Sequence, residues 1–558
     1  MVQIENDLIR YKIKKILKKL KLYKNTAPNW NKILSSYKKF YNNLKVKAKN
    51  GQKILICTST GGHVLSSHFE ALLALALTRY GAEVEIMLCD KVLKGCHMMT
   101  TVSVAEDDYV NKGSKKLCNS CLDQGKDAFE GLGLKINYYS SYLSSEDLNE
   151  INNIVESSDF SDIVKYKEEG ILIGEHVYAG ALRYYAVGEL INEKHQKKIL
   201  KNFFHGGLVT KKIFCNLFKN KNYDKIILNH AIYVPQGIIC EVSKKFNLGI
   251  ISYSTAYKKK NFIFSYDDTY HKTMIDEPVE DWINYDLDDT KERKLFDYLE
   301  SRKYGTQDMY YYFSKPEFKI DNLLNDLGVN FNKPILGLLT NIIWDAQIIY
   351  KDNIFKNMVD WLIYTINYLS SRSDIEVVVR CHPGEVNADR ISKQTVKNTI
   401  CERINPLPKN LKIIDADNKI STYSFAKFCK TLIIYSSKMG MELAPFGQTI
   451  ICAGEAYVKN KGITHDPKNK SEYDLLLNKF PLIDKPNKVS IEKAKKYAYH
   501  YFFRRSFEID SLISPKYNEW PPFTISNNAF ENLKLNKDIG LKKLADCILQ
   551  DKKFIIDK

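Results

Sequence analysis

Long apolar runs are missing from this 558-residue chain. No stretch approaches the roughly 20 consecutive apolar residues that span a bilayer, so no transmembrane helix is expected. The N-terminus lacks an apolar h-region, which argues against secretion. There is no disulfide framework either: twelve cysteines scattered over this length suit a reducing cytosol. The dinucleotide fingerprint GxGxxG is absent, which removes the usual signature of NAD binding. Acidic residues are almost missing from residues 1–50, which hold fourteen Lys/Arg against two acids, a net +12 of the total +17. Basicity so confined, with no aromatic-interleaved patch elsewhere, argues against a nucleic-acid enzyme.

Within that basic arm, Leu8, Ile9, Ile13, Ile16, Leu17 and Leu20 recur at helical spacing between lysines. Two readings stand side by side. One is an amphipathic helix lying on an anionic membrane surface. The other is a helix packed on the first domain with its lysines solvated.

Hydrophobic content of 44% describes a globular chain long enough for two large domains. Lys53–Thr58 reads as a buried strand, followed by Gly61-Gly62-His63, a helix from about Leu65 to Tyr80 and a second strand, Glu83–Leu88. Strand, glycine turn, helix and strand make a Rossmann-like start. Residues 90–150, with Cys96, Cys118 and Cys121, look like an insertion. Further strands are expected at Lys225–His230 and Leu248–Tyr253, and Asn261–Phe264 is a short apolar run. A charged, aromatic interdomain region at 272–330 precedes a second α/β unit that starts at Pro334–Thr340. Its later strands are expected at 376–379, 411–414, 431–434 and 449–453. The predicted organisation is an arm at 1–50, domains at 51–325 and 326–490, and C-terminal helices at 491–558.

Two segments carry the chemistry. Val379-Arg380-Cys381-His382-Pro383-Gly384-Glu385 and Tyr435-Ser436-Ser437-Lys438-Met439-Gly440-Met441-Glu442 each end an apolar, β-branched run. In open α/β sheets ligands bind beyond the carboxyl ends of such strands. Arg380 and His382 offer a cation and an imidazole, with Pro383 fixing the turn. Ser436 and Ser437 offer hydroxyls, and the helix that follows offers free N–H groups to an anion such as phosphate. Read as structure alone, His-Pro is a turn and one serine is a helix cap.

Together with Glu442-Leu443-Ala444-Pro445-Phe446-Gly447, these segments resemble the donor-binding domain of GT-B glycosyltransferases. The resemblance is to bacterial capsular-polysaccharide enzymes, including Kdo- and sialyltransferases, and to CDP-glycerol glycerophosphotransferases. It implies an α/β GT-B fold, two Rossmann-like domains facing across a cleft, and covers roughly residues 50–510. It implies a nucleotide-activated sugar donor, with CMP-sugars favoured and UDP-sugars open, held by Arg380, His382, Pro383, Ser436, Ser437, Gly440 and Glu442. Glu442 would accept bonds from ribose hydroxyls. The acceptor would be a glycan or lipid-linked, in cytoplasmic polysaccharide synthesis at the inner face of the membrane. Alternatives sharing these motifs are a CDP-polyol phosphotransferase and a sugar-nucleotide epimerase.

If configuration inverts, the acceptor hydroxyl needs a general base. His63, Glu175 (beside His176), Asp268 (beside Asp267) and His230 are the candidates, and the sequence does not choose among them. Gly61, Gly62, Trp344 and Asp345 are expected to line the cleft. No cofactor is required for catalysis. Cys89, Cys96, Cys118 and Cys121 read either as a thiolate set for a structural zinc or as small buried hydrophobes.

Overall fold

The computed structural model describes residues 28–556 apart from 192, 310, 311, 314, 349–352, 389 and 515–521. The stripe read between Leu8 and Leu20 lies outside the described residues. Residues 30–48 form two short helices, Trp30–Ser35 and Lys38–Ala48. Trp30, Leu34 and Tyr41 are buried in the core of the first domain, so this stretch belongs to that domain and not to a separate arm.

The first domain is built on β1 (Lys53–Ser59), β2 (Glu83–Leu88), β3 (Lys135–Tyr138), β4 (Lys225–Asn229), β5 (Gly249–Thr255) and β6 (Asn261–Tyr266). Their order in the sheet is β6-β5-β4-β1-β2-β3. All neighbours are parallel except β6, which pairs antiparallel with β5. The second domain holds β7 (Ile335–Leu339), β8 (Glu376–Arg380), β9 (Leu411–Ile414), β10 (Thr431–Ile434) and β11 (Ile450–Cys452), all parallel, in the order β11-β10-β7-β8-β9. Strands buried on both faces read as unbroken apolar runs, which is why β1, β4, β7 and β10 are legible in the sequence. In each sheet the first strand lies between the second and the fourth, the Rossmann-like order. The fold is therefore α/β with two such domains, as the GT-B resemblance implies. Each has a switch point, β1/β4 in the first and β7/β10 in the second, where ligands are received.

The reading of 90–150 as an insertion is corrected: β3 pairs parallel with β2 and is an integral strand of the first sheet. Its sequence, Lys-Ile-Asn-Tyr, has one aliphatic residue, because an edge strand is covered on fewer sides.

The helix Val64–Arg79 has fourteen buried residues out of sixteen. A helix buried on every face needs a second covering layer. Helices Lys38–Ala48, Ala529–Lys534 and Ile539–Leu549 supply it. Glu70 lies inside this layer, where the hydroxyls of Thr58 and Tyr253 donate to its Oε1. Burial pushes its pKa up from 4.5 to about 8. Between those values the folded chain holds a proton that the unfolded chain has released, so stability falls as pH rises through the window. Glu385, whose pKa burial also raises to about 8, acts in the same direction. Glu70→Gln should therefore flatten, without abolishing, the decline in melting temperature between pH 6 and 8. An unchanged slope in that variant would refute the assignment.

From the helix Lys488–Tyr499 the chain returns to the first domain, where β12 (Phe507–Glu508) pairs antiparallel with β6. Arg505 donates to the carbonyls of Phe264 and Phe554. Glu277 pairs with both Arg505 and His500. Among the described residues no helix is long and apolar enough to cross a membrane.

Candidate functional site

A cavity of about 350 Å³ opens between the domains, at the switch point of the second sheet. Thr340 and Asn341 beyond β7, His382 beyond β8 and Ser436 to Lys438 beyond β10 line one side. Tyr257, His271 and Arg302 line the other.

His382 is held by its own turn. Its backbone N–H donates to Thr340 Oγ1 at 3.0 Å, and its Nδ1 accepts the N–H of Gly384 at 3.0 Å. A Cβ on residue 384 would fall 2.9 Å from that Nδ1 and 2.7 Å from Ile342, so the approach needs glycine. With Nδ1 accepting, the proton of the neutral ring must sit on Nε2. Burial, with Arg380 and Lys438 nearby, holds the imidazole neutral, its pKa pushed down to about 4. His382 is thus a fixed neutral N–H donor at the cavity wall.

Ser436 N–H donates to Asn341 Oδ1 at 3.3 Å, joining the two strands of the switch point. Ser437 Oγ accepts the N–H of Met439 and serves as a turn residue. The helix expected to supply N–H donors is only Met439–Leu443, followed by a 3₁₀ turn. Too short to carry much dipole, it leaves the positive charge to Lys438, which the sequence reading did not single out. Lys438 Nζ donates to Tyr257 Oη and lies 4.2 Å from that ring's centre. Its charge depresses the pKa of both His382 and His271. The signal was adjacent, in Tyr-Ser-Ser-Lys, while Tyr257, His271 and Arg302 lie in segments that carried none.

Three expected donor ligands have other work. Arg380 is buried and donates to the carbonyls of Asp415, Asn418 and Ile420, so it shapes the 415–420 loop instead of meeting a phosphate. Gly440 is a packing residue: a Cβ there would meet Ile434 at 2.5 Å. Both carboxylate oxygens of Glu442 are engaged, one by Arg302 at 2.7 Å and one by the Tyr423 hydroxyl, so it anchors Arg302 at the cavity wall. Pro383 caps the short turn Gly384–Asn387.

The first domain brings three histidines together at its own switch point. His63 follows β1, His97 follows β2 and His230 follows β4. Ring centres lie 5.1 Å apart for His63 and His97, and 5.9 Å for His97 and His230. Arg183 sits beside them, donating to the His97 carbonyl and covering the Tyr233 ring at 4.9 Å. The backbone is strained here: Ser59, His230 and Ala231 all adopt positive φ. Such strain persists only where the surroundings enforce it, and it gathers at functional sites. Burial and Arg183 lower the His63 pKa to about 4, and its Nδ1 is buried with no partner among the described residues. His97 was not foreseen, because its segment has no strand-end pattern.

The other base candidates lie elsewhere. Asp268 forms an ion pair with Lys244 at 2.9 Å and accepts the N–H of Thr269, a structural turn. Asp267 occupies the same turn at positive φ. Glu175 is in the first turn of the helix Ile173–Tyr185 and does not line the cavity. Its neighbour His176 bonds the Ile232 carbonyl through Nδ1. Gly61 and Gly62 do not face a ligand either: a Cβ on Gly61 would fall 2.3 Å from Gly125 Cα, so the pair admits the helix Lys115–Phe129. Trp344 is buried with its indole N–H on Ser392 Oγ. Asp345 does reach the cleft, accepting the Tyr233 hydroxyl across the domains at 2.9 Å.

The zinc set is not formed. Among the described residues no group of three or more His, Cys, Asp or Glu side chains is placed to hold a metal ion. Cys121 Sγ accepts the Gly62 N–H, Cys118 Sγ contacts the Ser114 hydroxyl, and burial raises the pKa of Cys89, Cys96 and Cys121, which favours thiol over thiolate.

No protein family profile matches the chain, and no curated protein does. Among solved structures it is similar to the Thermosulfurimonas dismutans KpsC β-Kdo 2,4-transferase, at 12% identity over 49% of this chain and 79% of that one, with a TM-score of 0.32. The KpsC β-Kdo 2,7-transferase of the same organism gives 10% identity over 58% and 90%, with a TM-score of 0.31. A Staphylococcus aureus MnaA–UDP co-structure gives 10% over 80% and 92%, with a TM-score of 0.24. None of these scores reaches 0.5.

Proposed function

We propose that the chain is a glycosyltransferase that takes a sugar from a nucleotide-activated donor and passes it to a glycan or lipid-linked acceptor in bacterial surface polysaccharide synthesis. The observation that carries this reading is the presence of both the Lys438 ammonium and the His382 imidazole in the lining of an interdomain cavity at a Rossmann-like switch point. A cation and a fixed neutral donor suit a phosphate that gains charge as the glycosyl bond breaks. The Ser436 hydroxyl and the Asn341 amide stand beside them for the rest of the phosphate. We assign the acceptor to the histidine cluster at the switch point of the first domain, with His63 as the base candidate. A cytidine donor is favoured by the His-Pro and Ser-Ser pair. The basic segment 1–50 would hold the protein at an anionic membrane face on the cytoplasmic side.

The test is a thermal-shift series with CMP, CDP, UDP, GDP and their sugars. A nucleotide at 100 times its Kd stabilises the folded state by about 2.7 kcal/mol. Stabilisation by CMP or CDP is the expected result, and a response to UDP alone moves the donor assignment. Absence of any response would overturn the reading of His382 and Lys438. Product analysis then separates sugar transfer from polyol-phosphate transfer, which the same cavity would serve.

A further inference from the structure

The histidine cluster is more than a source of a base, because its hydrogen bonds determine where the ring protons lie. Gln236 Nε2 is 3.2 Å from the Thr58 carbonyl oxygen, which only accepts, so this atom is the amide nitrogen. The same nitrogen lies 3.0 Å from His97 Nδ1. His97 Nδ1 must therefore accept, and the ring proton sits on Nε2. That Nε2 is buried and has no partner among the described residues, on a side chain only 2% exposed. His230 repeats the pattern: its Nδ1 accepts the Ile232 N–H at 3.3 Å, which leaves its proton on Nε2 as well. Arg183 completes the group, and among the described residues no carboxylate pairs with it. Asp345, across the cleft, is bonded to Tyr233.

Two imidazole N–H donors and a guanidinium with no carboxylate partner among the described residues suit an anion. A metal ion would need lone pairs where these rings carry protons. A neutral sugar hydroxyl would leave the Arg183 charge unmatched, whereas an oxyanion accepts from imidazole N–H groups and a guanidinium alike, with charge-assisted bonds. We propose that His97, His230 and Arg183 form a subsite for an oxyanion, a carboxylate or a phosphate, carried by the acceptor. This rests on the assignment of the acceptor to the first domain. The subsite is separate from the donor cavity, and Tyr233, whose ring meets His230 at 5.2 Å, links the two through Asp345.

Binding of methyl β-glucuronide, glycerol 3-phosphate and neutral methyl β-glucoside to the full chain tests it, by calorimetry beside the nucleotide response. The two anions should bind and the glucoside should not. Preference for glucuronide indicates a uronic-type acceptor, and preference for the phosphate an acceptor with phosphate linkages. Arg183→Met and His230→Gln should each weaken the preferred anion by roughly tenfold or more, with the nucleotide response intact. An affinity kept in Arg183→Met but lost in Lys438→Met would place the anion in the donor cavity and overturn the proposal. Equal binding of the glucoside, or no binding of either anion, would overturn it too. A missing nucleotide response in the parent protein would instead strike the donor reading, so the two failures are distinguishable.

Discussion

Lys438→Met is expected to lower sugar transfer by roughly 10²- to 10³-fold, the loss typical of removing one preorganised donor to a developing negative charge. The ammonium is held by the Tyr257 hydroxyl and ring and stands 5.6 Å from the Tyr457 ring, so its position is set before a ligand arrives. Methionine keeps most of the stem and its apolar contact, and removes the charge and the bond to the Tyr257 hydroxyl. The folded state should survive, since one cation–π contact contributes about 0.5–2 kcal/mol. Nucleotide affinity should fall with activity, because the phosphate already carries charge in the bound donor. His382→Ala should act in the same direction and more weakly on affinity, since a neutral N–H donor is lost instead of a cation. A folded Lys438→Met protein that binds nucleotide and turns over like the parent would remove Lys438 from the site.

Arg302→Met is expected to destabilise the protein by about 3–5 kcal/mol, the range for breaking a buried ion pair from one side. The guanidinium bonds Asp308 and Glu442 at 2.7 Å each, and the three side chains are 8%, 4% and 3% exposed. Without it two buried carboxylates lose their counter-charge together. Tyr298 and Tyr423 still donate a hydroxyl to one carboxylate each, which does not replace a full positive charge. The triple variant Arg302→Met, Asp308→Asn, Glu442→Gln should recover most of the loss, since neutral amides of the same shape need no counter-ion. Urea unfolding of both variants measures this. A loss below about 1 kcal/mol in Arg302→Met would show that water reaches the cluster and that the pair behaves as a surface one. Because Glu442 follows the Ser-Ser turn, this anchor also ties the donor cavity to the helix Asp289–Arg302.

Much of the site was legible because parallel strands buried on both faces must be apolar throughout, and their polar ends are where ligands bind. Val377-Val378-Val379 and Leu432-Ile433-Ile434 announced themselves, and His382 and Ser436 followed. The edge strand β3 did not, since only one of its residues is aliphatic and its pattern does not mark it off from the loops around it. Roles that depend on partners were equally hidden. Arg380 and Glu442 had the right chemistry for a donor ligand, yet folding committed one to the loop carbonyls of 415–420 and the other to Arg302.

The sequence by itself determined the two α/β units, the strand ends that carry chemistry and the excess charge of the first fifty residues. These follow from local pattern, where apolar periodicity and turn residues act over a few positions. Only the tertiary structure decided which cation serves the cavity, which histidines meet and where their protons lie. Residues 63, 97 and 230 become neighbours only because a parallel sheet with crossover connections places the ends of β1, β2 and β4 side by side, and no spacing along the chain records that.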